Sequence, residues 1–161
     1  MKTFREYLVE GLNPFDIIKG DPMRALQYAL EVAGLPWPEG EEYLKKSPEA
    51  WDMYQQGVDY YKFSKEMEAY FVKEYPDWSM RLDIDWTRTR EGPRRVHLQG
   101  VIWDEDTLDE TDFDIRKNFR GVYTAEIEAQ WSGVEGLLKS KDAKEMVDLL
   151  VAKAKEPKDY L

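Results

Sequence analysis

Hydrophobic positions along the chain recur with two different periods, and the change between them divides the sequence. Residues 1–10 predict a short amphipathic helix, with Thr3 as its cap and Glu6 as the reciprocal partner three residues on. Gly11, Asn13 and Pro14 break that pattern. Asp21-Pro22 then opens a second helix, because aspartate accepts from free amides and proline tolerates the first helical position. Met23, Leu26 and Leu30 lie on one stripe of it, and Gly34 ends it before the stiff Leu35-Pro36-Trp37-Pro38 connector. Ser47-Pro48-Glu49 starts a longer helix through about Lys73, with Trp51, Tyr54, Val58, Tyr61, Met67 and Phe71 as its aromatic-rich face. Pro76 stops it.

Beyond Pro76 the period falls from 3.6 to 2. Met80, Leu82, Ile84 and Trp86 alternate with Arg81, Asp83, Asp85 and Thr87, the mark of a half-buried strand. A turn at Glu91-Gly92-Pro93 leads to a second strand, in which Val96, Leu98, Gly100 and Ile102 alternate with His97, Gln99, Val101 and Trp103. A third strand is expected from about Phe119 to Trp131. Phe119, Gly121, Tyr123, Ala125, Ile127, Ala129 and Trp131 form its inner set. From Ser140 to about Lys155 a last helix presents Ala143, Met146, Val147, Leu150 and Ala154 on one face. The order predicts an α+β fold: N-terminal helices, a three-stranded antiparallel meander, and a C-terminal helix packed on the sheet. With 161 residues, a single acidic domain over 11–161 is expected.

Composition narrows the chemistry. The chain has no cysteine and one histidine, His97, so thiolate metal sites, cysteine nucleophiles and two-histidine metal motifs are excluded. The formal net charge is −10, which disfavours nucleic acid as a partner, since phosphate binding needs clustered cations. No apolar run approaches the ~20 residues that cross a bilayer, so a soluble chain with no membrane contact is expected. Sixteen tyrosine and phenylalanine residues with six tryptophans are anchors that a disordered acidic tail lacks.

The acid is concentrated. Residues 101–138 carry 3 basic against 10 acidic side chains, most of them in Asp104, Glu105, Asp106, Asp109, Glu110, Asp112 and Asp114. This stretch lacks the glycine and terminal glutamate of a calcium loop and reads as a solvated loop whose charge repels itself. As a surface it would present a negative face to a partner that normally meets nucleic acid. Arg88, Arg90, Arg94 and Arg95 flank the 91–93 turn as a basic hairpin tip. Such a tip either meets an acidic or phosphate group or simply guards a sheet edge. Trp86 and Trp103 border it. Asp83, Asp85, His97, Glu126 and Glu128 fall on the polar face of the meander. They read as its solvated side, or, as the minority alternative, as a divalent-metal hydrolase centre on Asp83, Asp85 and His97. No serine elbow, phosphate loop or other catalytic motif is present, so no enzyme activity and no cofactor are expected.

The N-terminus carries the most specific pattern. Met1-Lys2-Thr3-Phe4-Arg5-Glu6-Tyr7-Leu8-Val9-Glu10-Gly11 resembles the capsid-targeting leader of internal head proteins of T-even-type bacteriophages. Leaders of that family begin Met-Lys-Thr, carry an aromatic, Glu, a second aromatic and an aliphatic residue, and finish with Glu before a small residue. Phe4, Glu6, Tyr7, Leu8, Glu10 and Gly11 fill those places in order. The resemblance implies docking of residues 1–10, through Phe4, Tyr7 and Leu8, to the prohead scaffold. It also implies cleavage by the prohead protease at the Leu8-x-Glu10 motif, between Glu10 and Gly11. The processed protein would reside in the virion head and pass with the DNA into the host cytoplasm, where some family members block restriction. Inhibition of a host defence or DNA-handling protein is the leading expectation. A structural head or neck component that keeps its N-terminus is the alternative.

Overall fold

The computed structural model of the chain describes residues 20–89, 92–128 and 136–156, leaving aside the side chains of 87–89, 92–94 and 128. The proposed leader, residues 1–11, lies outside the described residues, as do Arg90, Ala129 and Trp131. The elements are α1 (Pro22–Tyr28), a π-helical turn (Ala29–Ala33), a 3-10 turn (Pro38–Gly40), α2 (Glu41–Leu44), α3 (Pro48–Glu74), β1 (Trp78–Thr89), β2 (Gly92–Asp104), β3 (Glu110–Lys117), β4 (Tyr123–Glu128), β5 (Gly136–Ser140) and α4 (Ala143–Ala154). The strands form one sheet in the order β1-β2-β3-β4-β5. The fold is therefore α+β, with five strands among the described residues where the pattern predicts three. Its contacts group into two compact units, one holding 20–61 and 86–96, the other 62–85 and 97–156.

In the first unit, Asp21 caps α1 as its sequence position requires, its Oδ1 accepting from the Met23 and Arg24 amides at 3.1 and 3.4 Å. Leu26 is buried, whereas Met23 and Leu30 are half-buried. Trp37 packs against Gly40, where any Cβ would overlap its ring. Its amide donates to the Tyr54 hydroxyl at 2.8 Å, and that hydroxyl donates to Glu41 Oε1 at 3.2 Å. Burial, joined by the neighbouring Glu41 carboxylate, pushes the Tyr54 phenol above its ordinary pKa.

The buried face of α3 differs from the predicted one. Tyr54, Met67 and Phe71 are buried as expected, but Trp51, Val58 and Tyr61 are only half-buried. The packed stripe is Ala50, Met53, Gly57, Tyr60, Ser64, Met67 and Phe71, which alternates three- and four-residue steps. Small residues recur along it at Ala50, Gly57 and Ser64. At Gly57 the missing side chain is used: a Cβ there would stand 2.9 Å from Leu35 Cδ1. Apolar counting overlooks the small residues that this face sets between its large ones.

In the second unit, the inner sheet face buries Leu98, Ile102, Phe113, Ile115, Tyr123, Ala125 and Ile127. Phe63 of α3 stacks on Tyr123 with ring centroids 3.7 Å apart. Asp142 caps α4, accepting from the Lys144 amide at 3.2 Å, so the last helix starts after Ser140, which ends β5. That helix packs on β5 and buries Ala143, Met146, Val147, Leu150 and Val151.

The predicted third strand is corrected at its start, where β4 begins at Tyr123. Asn118 makes the β3–β4 turn, its Oδ1 accepting from the Arg120 and Val122 amides at 2.9 and 3.0 Å, and Gly121 supplies a φ of 80°. Phe119 thus sits in that turn, 93% exposed, and is no inner-face residue.

Tyr70 and Tyr75 both donate to the Asp148 carboxylate of α4, at 2.8 and 2.6 Å. The hydrogen bond to Asp148 is the main reason the Tyr75 phenol is pushed up to about 12. A phenol held protonated in the folded chain contributes stability that is complete below the ordinary value of 10.0 and is lost as pH rises toward about 12. Wild type should therefore lose its stability advantage over Tyr75→Phe in that window, measured by denaturant titration at successive pH values. An advantage that does not change with pH would refute the assignment.

Candidate functional site

Period 2 places the second half of the acidic stretch in a strand. Thr111, Phe113 and Ile115 turn inward and are buried, which sends Glu110, Asp112 and Asp114 to the outer face. The predicted loop is thereby corrected: only the connection after Asp104 turns, and Glu110–Lys117 is β3. The run of carboxylates conceals a strand whose alternating partners are buried. In the turn, Asp104 Oδ1 accepts from the Asp106 amide at 2.8 Å, and Leu108 takes a left-handed φ of 61°. Glu105 accepts from the Ser79 hydroxyl. Glu105, Asp106 and Asp109 are exposed, and Asp104 is half-buried.

The ladder between β2 and β3 sets the outer face in rows, pairing Gln99 with Asp114, Val101 with Asp112, and Trp103 with Glu110. Uncharged side chains thus form one lane along β2, with a carboxylate column beside it on β3. Arg81 and Asp83 of β1 stand on the other side. These residues line an open groove of about 380 Å³. Val101 and Trp103 are half-buried in it. Arg81 and Asp83 pair across 3.5 Å while both remain mostly exposed, so their mutual attraction is heavily screened.

His97 departs from the solvated-face reading. It lies in the same polar register but is only 3% exposed. Its Nδ1 is 2.6 Å from Asp114 Oδ1, and the other oxygen of Asp114 accepts from Arg116 Nε and Nη2, both at 3.1 Å. His97 Nε2 stands 3.9 Å from Asp85 Oδ2 and is buried without a hydrogen-bond partner. Asp114 therefore both lines the groove and anchors the imidazole. In the sequence it reads only as one acid in a run. Its place two residues before Arg116 and one after Phe113 is the signal that marks it as a strand position.

The metal alternative is not assembled by this geometry. Asp83 pairs with Arg81 instead of joining Asp85 and His97, and among the described residues no three histidine or acidic side chains gather where they could hold an ion. Glu126 is exposed opposite Asp114 on β4; the Glu128 side chain lies outside the described residues. Of the basic hairpin tip, Arg95 is exposed, and the side chains of Arg88, Arg90 and Arg94 lie outside the described residues. Among the described residues, no helix is long and apolar enough to cross a membrane. No known protein family, curated protein or solved structure matches the chain.

Proposed function

We propose that this chain is a bacteriophage internal head protein. It is packaged through residues 1–10, enters the host with the DNA, and binds and inhibits a host defence or DNA-handling protein. The observation that carries the packaging reading is the ordered set Phe4, Glu6, Tyr7, Leu8, Glu10 and Gly11. An apolar stripe of Phe4, Tyr7 and Leu8 at helical spacing suits a scaffold groove, and Leu8 with Glu10 offers a protease one apolar and one acidic determinant. Support for the binding reading comes from the outer sheet face, where Glu110, Asp112 and Asp114 form a negative column beside an uncharged lane. Proteins that handle DNA carry the complementary positive surfaces, and an acidic body steers toward them.

N-terminal sequencing of the protein from purified virions tests the packaging claim. The expected first residue is Gly11. An intact Met1 in the head, or no copies there, refutes it.

A further inference from the structure

The outer groove has a geometry that selects among basic partners. Its floor is the Gln99, Val101 and Trp103 lane of β2, flanked by Glu110, Asp112 and Asp114 on β3 and by Arg81 and Asp83 on β1. Four carboxylates against one guanidinium give this lining a negative balance. The acids of β3 recur at every second residue, about 7 Å apart along a strand. That is also the spacing of alternate side chains along one edge of an extended peptide. Trp103 offers a half-buried indole, the best aromatic face for a guanidinium or ammonium group. A helix would bring successive cations to this row out of step, because its same-face residues recur every three or four positions.

We infer that the groove binds an extended protein segment bearing arginine or lysine at alternate positions, with one cation over Trp103 and others beside Asp112 and Asp83. This rests on the reading of the outer face as a partner-binding surface, and it names that partner's chemistry. Charge complementarity brings the segment in, and the spacing of the column sets its register. Nucleic acid is repelled by the same lining.

The test uses the full chain and two labelled peptides of equal composition. One alternates arginine with threonine; the other carries its arginines in a single block. Fluorescence anisotropy at low salt should show the alternating peptide binding at least about threefold tighter than the block peptide. Trp103→Ala should weaken it by about tenfold, while Trp103→Phe, which keeps an aromatic platform, stays within about threefold of wild type. The double variant Asp83→Asn/Asp112→Asn should weaken it by about tenfold. Glu66→Gln/Glu145→Gln, which removes the same charge from exposed helix positions, should change it by less than about twofold. Equal losses from the two double variants would mean undirected attraction to an acidic protein and would overturn the proposal. So would equal binding of the two peptides, or indifference to Trp103→Ala. Packaging is read independently: a failed groove in a chain that still starts at Gly11 in virions removes this inference and leaves the head-protein reading standing.

Discussion

Asp114→Ala should destabilise the chain by about 2–3 kcal/mol, among the largest effects of any single charge removal on the sheet. The carboxylate holds the Nδ1 side of a buried imidazole at 2.6 Å, and His97 Nε2 already has no hydrogen-bond partner. Removing Asp114 leaves a ring that is 3% exposed with both nitrogens unsatisfied. The unpaired buried group then bears its full desolvation cost, about 1–3 kcal/mol and more for a charge-assisted bond. Loss of the exposed Arg116 contact adds little. In a chain of this size the change corresponds to a fall in Tm of about 5–10 °C.

Two further variants identify the cause. Asp114→Asn keeps a carbonyl oxygen for Nδ1 and should cost about 1 kcal/mol. In His97→Leu/Asp114→Ala the orphaned ring is gone, so most of the loss should be recovered, because removing both partners avoids the unmet polar group. If the double variant is as unstable as Asp114→Ala alone in thermal and denaturant unfolding, the orphaned imidazole is not the cause.

The same residues show what the sequence could and could not disclose. The α+β class, the helix openings at Asp21-Pro22 and Ser47-Pro48, and the neighbouring strands β1 and β2 follow from period and capping chemistry, although Gly92 and Pro93 of the expected turn already belong to β2. The cap at Asp21 is local, and local signals are the legible ones; the cap at Asp142 moves the start of the last helix past Ser140. β3 was obscured because charge density from Asp104 to Asp114 outweighs the alternation of Thr111, Phe113 and Ile115 in any window average. β5 is only five residues long, too short to establish a period beside Gly133 and Gly136. The site was half legible. Glu110, Asp112 and Asp114 read as part of an acidic surface, but their column beside Val101 and Trp103 is a cross-strand relation that no linear spacing contains. The burial of His97 is illegible for a related reason. Its register correctly assigns it to the outer face, whereas its burial depends on tertiary neighbours such as Asp114 and Asp85.

Gly100 shows how one missed strand hides a second constraint, and it yields the largest expected effect. The sequence places Gly100 on the inner face of β2, an unremarked small residue among Leu98 and Ile102. In the sheet it lies directly opposite Phe113. A Cβ at position 100 would penetrate the Phe113 ring and stand 2.7 Å from Leu82 Cδ2. The ring has little room to yield: Phe113 is 3% exposed, and β3 is paired with both β2 and β4. Gly100→Ala should cost about 2–3 kcal/mol, the upper part of the overpacking range. Gly100→Val should exceed about 4 kcal/mol, because its extra methyls find no space, and the better strand propensity of valine returns at most about 1 kcal/mol. Shortening the opposing side chain supplies the decisive comparison. Phe113→Leu alone leaves a gap and should destabilise by about 1–2 kcal/mol. Combined with Gly100→Ala, it frees the space the new Cβ needs, so the double variant should be at least about 1 kcal/mol more stable than the sum of the single losses predicts. Strict additivity would mean that the two residues do not face each other, and that the β2–β3 register, on which the groove's carboxylate column also depends, is wrong.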